Sequence, residues 1–101
     1  MNGVMYGVNS AKDLSATERI FKALANRRRI AIVRFLKGRK EASVGDIAHE
    51  IKLSFKATSK HLTILASTAI LEREQRSLNM FYRISGSISL PKLTRSLLSL
   101  L

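Results

Sequence analysis

The spacing of apolar residues changes partway along this chain, and that change dictates what it can fold into. Up to Leu65 apolar side chains recur every three or four residues, as on one face of a helix. From Leu71 to Ile84 the rhythm shortens to the two-residue period of a strand, with Phe81, Tyr82 and Ile84 adding aromatic and β-branched content. Helical segments followed by one brief β segment predict a mainly α fold with a small β-hairpin. Pro91 is the only proline and Gly38, Gly45 and Gly86 are the interior glycines, so breaks between elements are few.

The breaks can be placed residue by residue. Ser15-Ala16-Thr17-Glu18 reads as a capping box, which predicts a first helix over about 13–24 with Ile20, Phe21 and Leu24 on its apolar side. Asn26 is placed to cap a second helix from Arg27 to about Lys37, closed by Gly38. Ile30, Ile32, Val33, Phe35 and Leu36 give that helix a wide apolar arc, which makes it the central one. Ser43 opens a short third helix, where Val44, Ile47, Ala48 and Ile51 stand at i, i+3, i+4 and i+7. Lys52-Leu53 is a turn, and Ser54 caps a fourth helix running to about Thr68 with Thr58, Leu62 and Leu65 inward. Leu71–Arg76 and Asn79–Ile84 form the hairpin around Ser77-Leu78-Asn79. Ser89-Leu90-Pro91 opens a last helix, about 89–101, with proline in its first turn and leucines at 90, 93, 97, 98, 100 and 101. Two short helices joined by a tight turn and followed directly by a basic hairpin describe a winged helix-turn-helix. Residues 1–101 are too few for a second core, so the chain reads as one such domain.

Charge narrows the function. Eighteen Lys and Arg against seven Asp and Glu give a net charge of +11 with His neutral. Such an excess implies a polyanionic partner, nucleic acid first and an anionic membrane surface second, with plain solubilising charge as the competing reading. Nine basic residues and no acidic one lie between Arg19 and Lys40. Arg27-Arg28-Arg29 at a helix start opposes the helix macrodipole, so local stability does not select it, and some of the nine are expected to meet phosphates or a partner's acidic groups, with a solvated face as the competing reading.

The fourth helix carries the sharpest pattern. Lys56, Ser59, Lys60 and Thr63, at i, i+3, i+4 and i+7, form one polar stripe opposite Thr58, Leu62 and Leu65. Two ammonium groups suit phosphate or guanine, two hydroxyls suit base edges, and no acid repels a DNA backbone. Ala57, His61 and Ile64 run along one flank; His61 either touches DNA or packs with one ring nitrogen satisfied. Phe55 either meets a thymine methyl or packs. Arg76, nearest the hairpin loop, is the candidate wing contact to phosphate or minor groove, whereas Arg73 and Arg83 are expected to pair with Glu72, Glu74 or neighbouring helices. Leu78 has no use in DNA binding at a wing tip and is expected to fold back onto the core, and His49 is expected to be an exposed bystander.

Other classes are disfavoured. Without cysteine there are no disulfides, thiolate metal sites or Cys nucleophiles. Seven acids and two separated histidines leave no catalytic cluster, so the chain is not read as an enzyme. No apolar run approaches the ~20 residues that span a bilayer. Met1–Ser10 lacks the basic and apolar regions of a secretory signal, so a cytoplasmic protein without a membrane partner is expected. A winged-helix module for protein or RNA, showing no duplex preference, is the alternative reading.

Phe21-Lys22-Ala23-Leu24-Ala25-Asn26-Arg27-Arg28-Arg29-Ile30 resembles the entry to the second helix of ArsR-type repressors. Glu41-Ala42-Ser43-Val44-Gly45-Asp46-Ile47-Ala48 resembles their third-helix segment, and Leu53-Ser54 through Ser59-Lys60-His61-Leu62-Thr63-Ile64-Leu65 their recognition helix. Phe81-Tyr82-Arg83-Ile84 is similar to their second wing strand. The resemblance covers roughly residues 17–85 and implies a homodimeric transcriptional repressor on a pseudo-palindromic double-stranded DNA operator. It places Ser54, Phe55, Lys56, Ser59 and Lys60 on the family's DNA-contacting positions; Ala57, His61, Thr63 and Arg76 complete the candidate DNA-binding set. It also implies that the first and last helices build the dimer, with Leu14, Phe21, Leu93, Leu97, Leu98 and Leu101 as candidate interface residues. For the last helix, packing within the chain is the competing reading.

The departures from the family pattern matter as much. Metal-sensing members carry two cysteines at the positions of Ser43 and Gly45, and a second family site needs Asp, His and Glu on the last helix, where Ser89–Leu101 has none. No metal and no cofactor are therefore expected, and nothing names a small-molecule effector. A glycine is usual where Lys52 and Ala69 stand; a left-handed backbone there costs about 1–2 kcal/mol.

Overall fold

The computed structural model describes residues 11–86 and 90–101. Helix α1 spans Ala11–Leu24, so Ser15 lies inside it and the expected capping box is not a cap. Ala, Lys and Leu ahead of Ser15 are good helix formers, and extending a helix is cheaper than nucleating one at Ser15.

The next three helices begin at polar caps. Asn26 Oδ1 accepts from the Arg29 backbone N–H at 3.1 Å and opens α2, Arg27–Lys37, which Gly38 closes. Ala42–Ser43 form a two-residue strand, β1. Ser43 Oγ accepts from the Asp46 N–H at 3.1 Å and opens α3, Val44–Ile51. Ser54 Oγ accepts from the Ala57 N–H at 3.1 Å and opens α4, Phe55–Ser67. Each cap satisfies one of the otherwise orphaned N–H groups of a first turn.

Between α3 and α4 the chain turns through Lys52, whose φ of 57° and ψ of 50° are left-handed. The Leu53 N–H closes that turn on Ala48 O at 3.1 Å. Ala69, with φ 62°, ends α4 in the same way, and the Ile70 N–H reaches Leu65 O at 3.1 Å. Both positions where a glycine is usual are thus left-handed here with a side chain present.

Strands β2, Leu71–Arg76, and β3, Asn79–Ile84, pair antiparallel from Leu71↔Ile84 to Arg76↔Asn79. β1 adds on the other side of β3, with Ala42↔Tyr82 and Ser43↔Phe81, so the sheet runs β1-β3-β2. The last helix, α5, is shorter than expected, Lys92–Ser99. Pro91 precedes it in an extended conformation, φ −58° and ψ 152°, and supplies no side-chain cap; Ser89 lies outside the described residues. Its C-terminal end is held instead by Lys37, whose Nζ donates to Leu98 O at 2.7 Å.

The core sits where α2, α3 and α4 meet the sheet. Ile32, Val33, Leu36, Ile47, Leu62, Leu65 and Ile70 are wholly buried and Leu71 nearly so. Central α2 supplies three of these, as its wide apolar arc predicts. Each such side chain contributes about 1.5–3 kcal/mol by burial, and together they fix α4 on the body of the domain.

Candidate nucleic-acid interface

Helix α4 is amphipathic in the way the sequence predicts. Thr58, Leu62 and Leu65 are buried, while Lys56, Lys60 and Thr63 are exposed and Ser59 is half-buried. Phe55 and Ile64 are exposed on the same side, 63% and 40%. These two and the four stripe residues line one broad, open depression. The surface therefore offers two ammonium groups, two hydroxyls and apolar area suited to thymine methyls. Thr63 Oγ1 donates to Ser59 O at 2.9 Å, which leaves that hydroxyl as an acceptor toward anything outside. Ser54 caps the helix from an exposed position, and Ala57 is half-buried on the flank.

His61 is half-buried on that flank, 3.1 Å through Nδ1 from Arg29 Nη1. A guanidinium only donates, so Nδ1 is the acceptor and Nε2 carries the proton. Burial holds the His61 pKa below its ordinary value, and the charges of Arg29 and Arg28 act in the same direction. Arg29 also donates from Nε to Ala23 O at 2.6 Å and from Nη2 to Lys22 O at 3.3 Å. One guanidinium thereby ties the end of α1 and the start of α2 to α4. Sequence reasoning counted Arg29 among the outward cations; its half-buried side chain is an internal tie. Arg27 and Arg28 beside it are exposed.

On the wing, the sequence expectation for two arginines is reversed. Arg76 pairs with Glu41 and with Glu74, the latter at 3.4 Å, and lies over the Phe81 ring at 4.1 Å. Its hydrogen bond to Glu41 holds the Glu41 carboxyl below the usual range, against an opposing effect of burial, and raises the Arg76 pKa. Arg83 pairs with Glu72 and Glu74, each at 3.2 Å, as expected. Arg73 makes no ion pair among the described residues; it is exposed and lines a groove with Thr63, Ala66 and Ser67 of α4. The reason is the two-residue period. Glu72, Glu74 and Arg76 share a face with Arg83 and Phe81 across the strand pair, whereas Arg73 lies on the opposite face with Leu71 and Tyr82. Leu78 does not fold back onto the core: it is 95% exposed at the wing tip. His49 is exposed, as expected.

The candidate dimer residues divide. Leu14, Phe21 and Leu93 are exposed, and Leu97 and Leu101 half-buried. Leu98, at 5%, is part of the chain's own core and is corrected from an interface residue to an internal one. Leu100, left out of the candidate set, is 80% exposed. Phe21, Leu24 and Ala25 of α1 and its end, Ile30 of α2, and Leu97, Leu100 and Leu101 of the C-terminus line one apolar groove.

Among the described residues no three of His, Cys, Asp and Glu stand together as metal ligands would, and no helix is long and apolar enough to cross a membrane.

Residues 26–68 match the family model described as bacterial regulatory protein, arsR family. The chain is 33% identical over 79 residues to the transcriptional activator HlyU of Vibrio cholerae, covering 78% of this chain and 68% of that one. It is similar to the crystal structure of a possible transcriptional regulatory protein from Mycobacterium bovis, with TM-score 0.76, 30% identity, and 89% and 90% of the two chains covered. A solution structure of a homodimeric winged helix-turn-helix DNA-binding domain from the same organism, a possible ArsR-family regulator, superposes with TM-score 0.74 at 26% identity, covering 99% of this chain and 82% of that one.

Proposed function

This chain belongs to the arsR family of bacterial regulatory proteins, winged helix-turn-helix transcriptional regulators that bind DNA, and from that premise we propose how it acts: as a homodimeric repressor that is not metal-sensing. The observation that carries the reading is the exposed Lys56–Lys60 face of α4, rigidly backed by the buried Leu62 and Leu65. The two recognition helices of a twofold dimer reach successive major grooves, with half-sites about 34–36 Å apart, so the target is a pseudo-palindromic duplex. Ser54, Phe55, Lys56, Ala57, Ser59, Lys60, His61 and Thr63 provide the contacts within the groove.

The apolar groove between α1 and the C-terminus supports self-association through Phe21, Leu97, Leu100 and Leu101, flanked by Leu14 and Leu93. With Ser43 spent on capping α3 and no cysteine in the chain, the thiolate route to metal sensing is closed. A regulator of this kind works where the chromosome is, in the cytoplasm. Repression follows from occupancy of a promoter by the bound dimer.

The test is a footprint of the purified protein on the DNA upstream of its own gene, paired with a reporter driven by that DNA. Two protected segments one helical turn apart, with reporter output falling when the protein is present, are expected. Protection without that spacing contradicts the twofold arrangement, and rising output contradicts repression.

A further inference from the structure

Seven basic side chains are already engaged inside the domain: Arg19, Lys22, Arg29, Lys37, Arg76 and Arg83 by hydrogen bonds or ion pairs, and Arg39 over the Phe35 ring at 4.3 Å. Arg27, Arg28 and Arg73 are exposed and make no hydrogen bond or ion pair among the described residues.

At 100° per residue, Ala57, His61 and Ile64 lie on one side of the Lys56–Thr63 stripe, and Ala66 on the other. The His61 side meets the start of α2 through the 3.1 Å contact with Arg29, next to Arg28. The Ala66 side faces β2, where Arg73 lines the groove with Thr63, Ala66 and Ser67. Cations thus stand at both edges of the recognition helix.

A helix about 10–12 Å across fills a major groove about 12 Å wide, so the phosphates on its two walls lie along the two edges of the inserted helix. Local stability does not account for Arg27 and Arg28, because α2 has no acidic residue in its first turn and the helix dipole there repels cations. We propose that Arg27 and Arg28 on one side, and Arg73 on the other, grip the phosphates of the two groove walls and bracket the recognition helix between them. The bracket rests on the duplex-binding reading above. It adds residues from two other elements, and it shifts the wing's contribution from Arg76, which is held by Glu41 and Glu74, to Arg73.

Phosphate contacts set affinity and register without reading sequence, and each one released adds about 0.9 to the slope of log affinity against log salt. In a dimer Arg73→Ala removes two contacts and lowers the slope by about 1.8, and Arg27→Ala with Arg28→Ala removes four and lowers it by about 3.6. The measurement is fluorescence anisotropy across a salt series, with a duplex of the protein's own upstream region and a random-sequence duplex of equal length. Both variants are expected to weaken binding to the two duplexes by the same factor, leaving their ratio unchanged. Arg→Lys at the same positions is expected to restore the slope, and the thermal unfolding midpoint is expected to stay at the wild-type value. An unchanged slope in either variant, or a loss confined to the protein's own upstream DNA, overturns the bracket. A wild-type protein with no preference for its own region over the random duplex instead overturns the operator reading.

Discussion

At the residue scale, the fold constrains the backbone of Ala69 and the protonation of His61. Ala69 is left-handed at φ 62° because α4 must stop there for β2 to pair with β3. Ala69→Gly is expected to stabilise the domain by about 1 kcal/mol, read as a higher urea midpoint with an unchanged m-value, since glycine visits this region without a Cβ penalty. A lower midpoint contradicts the strain. His61 is the second case. It accepts from Arg29 only when neutral, and its folded pKa lies below its ordinary value of 6.5. The unfolded chain therefore binds more protons between the two values, so stability falls as pH drops through about 6.5 and levels off below the folded pKa. A series of thermal melts from pH 8 downward is expected to show that decline, and His61→Gln, which keeps an acceptor but does not titrate, is expected to flatten it. The same decline in His61→Gln contradicts the assignment. Glu41 acts lower on the scale and in the same direction: its carboxylate, held down by Arg76, loses its stabilising contribution as pH falls through its folded pKa.

At the element scale, much of the fold is legible because single residues mark boundaries. Asn26, Ser43 and Ser54 each cap the helix that the sequence assigns to them. What escapes sequence reading is structure defined by a partner. β1 is two residues long, too short to show alternation, and exists because Ala42 and Ser43 pair with Tyr82 and Phe81. The reversal of Arg73 and Arg76 was within reach: the period of two already puts Arg76 beside Glu74 and leaves Arg73 on the other face. In α5 the helical period, carried on into its C-cap Leu100, separates Leu93, Leu97 and Leu100 from Thr94 and Leu98. Leucine count alone does not say which stripe faces inward; the burial of Thr94 and Leu98 does. The outward stripe carries a prediction. Leu100→Glu, at a position 80% exposed in the protomer, is expected to leave folding intact and to convert a dimer to monomers in sedimentation. A dimer that survives the substitution contradicts a seam at this groove.

At the scale of the whole molecule, a small apolar core orients a large excess of positive charge. Buried leucines and isoleucines hold α4 against α2 and the sheet, Arg29 ties α4 to the end of α1, and α1 meets the C-terminus at the apolar groove. The elements that present cations outward are thereby coupled to those that present leucines. The functional class was readable from the stripe, the net charge of +11 and the hairpin together, because each constrains a different scale. The proposed seam is only partly readable, because the same leucine pattern serves a chain's own core and a second copy equally well.

The most direct test of the account is binding by Lys56→Ala, Lys60→Ala protein to DNA from upstream of its own gene, with thermal unfolding followed on the same samples. Both lysines are exposed and outside the core, so the unfolding midpoint is expected to stay put while affinity falls by at least tenfold and the preference over random duplex is lost. Wild-type affinity and preference in the double variant contradict the assignment of α4 as the DNA-reading element.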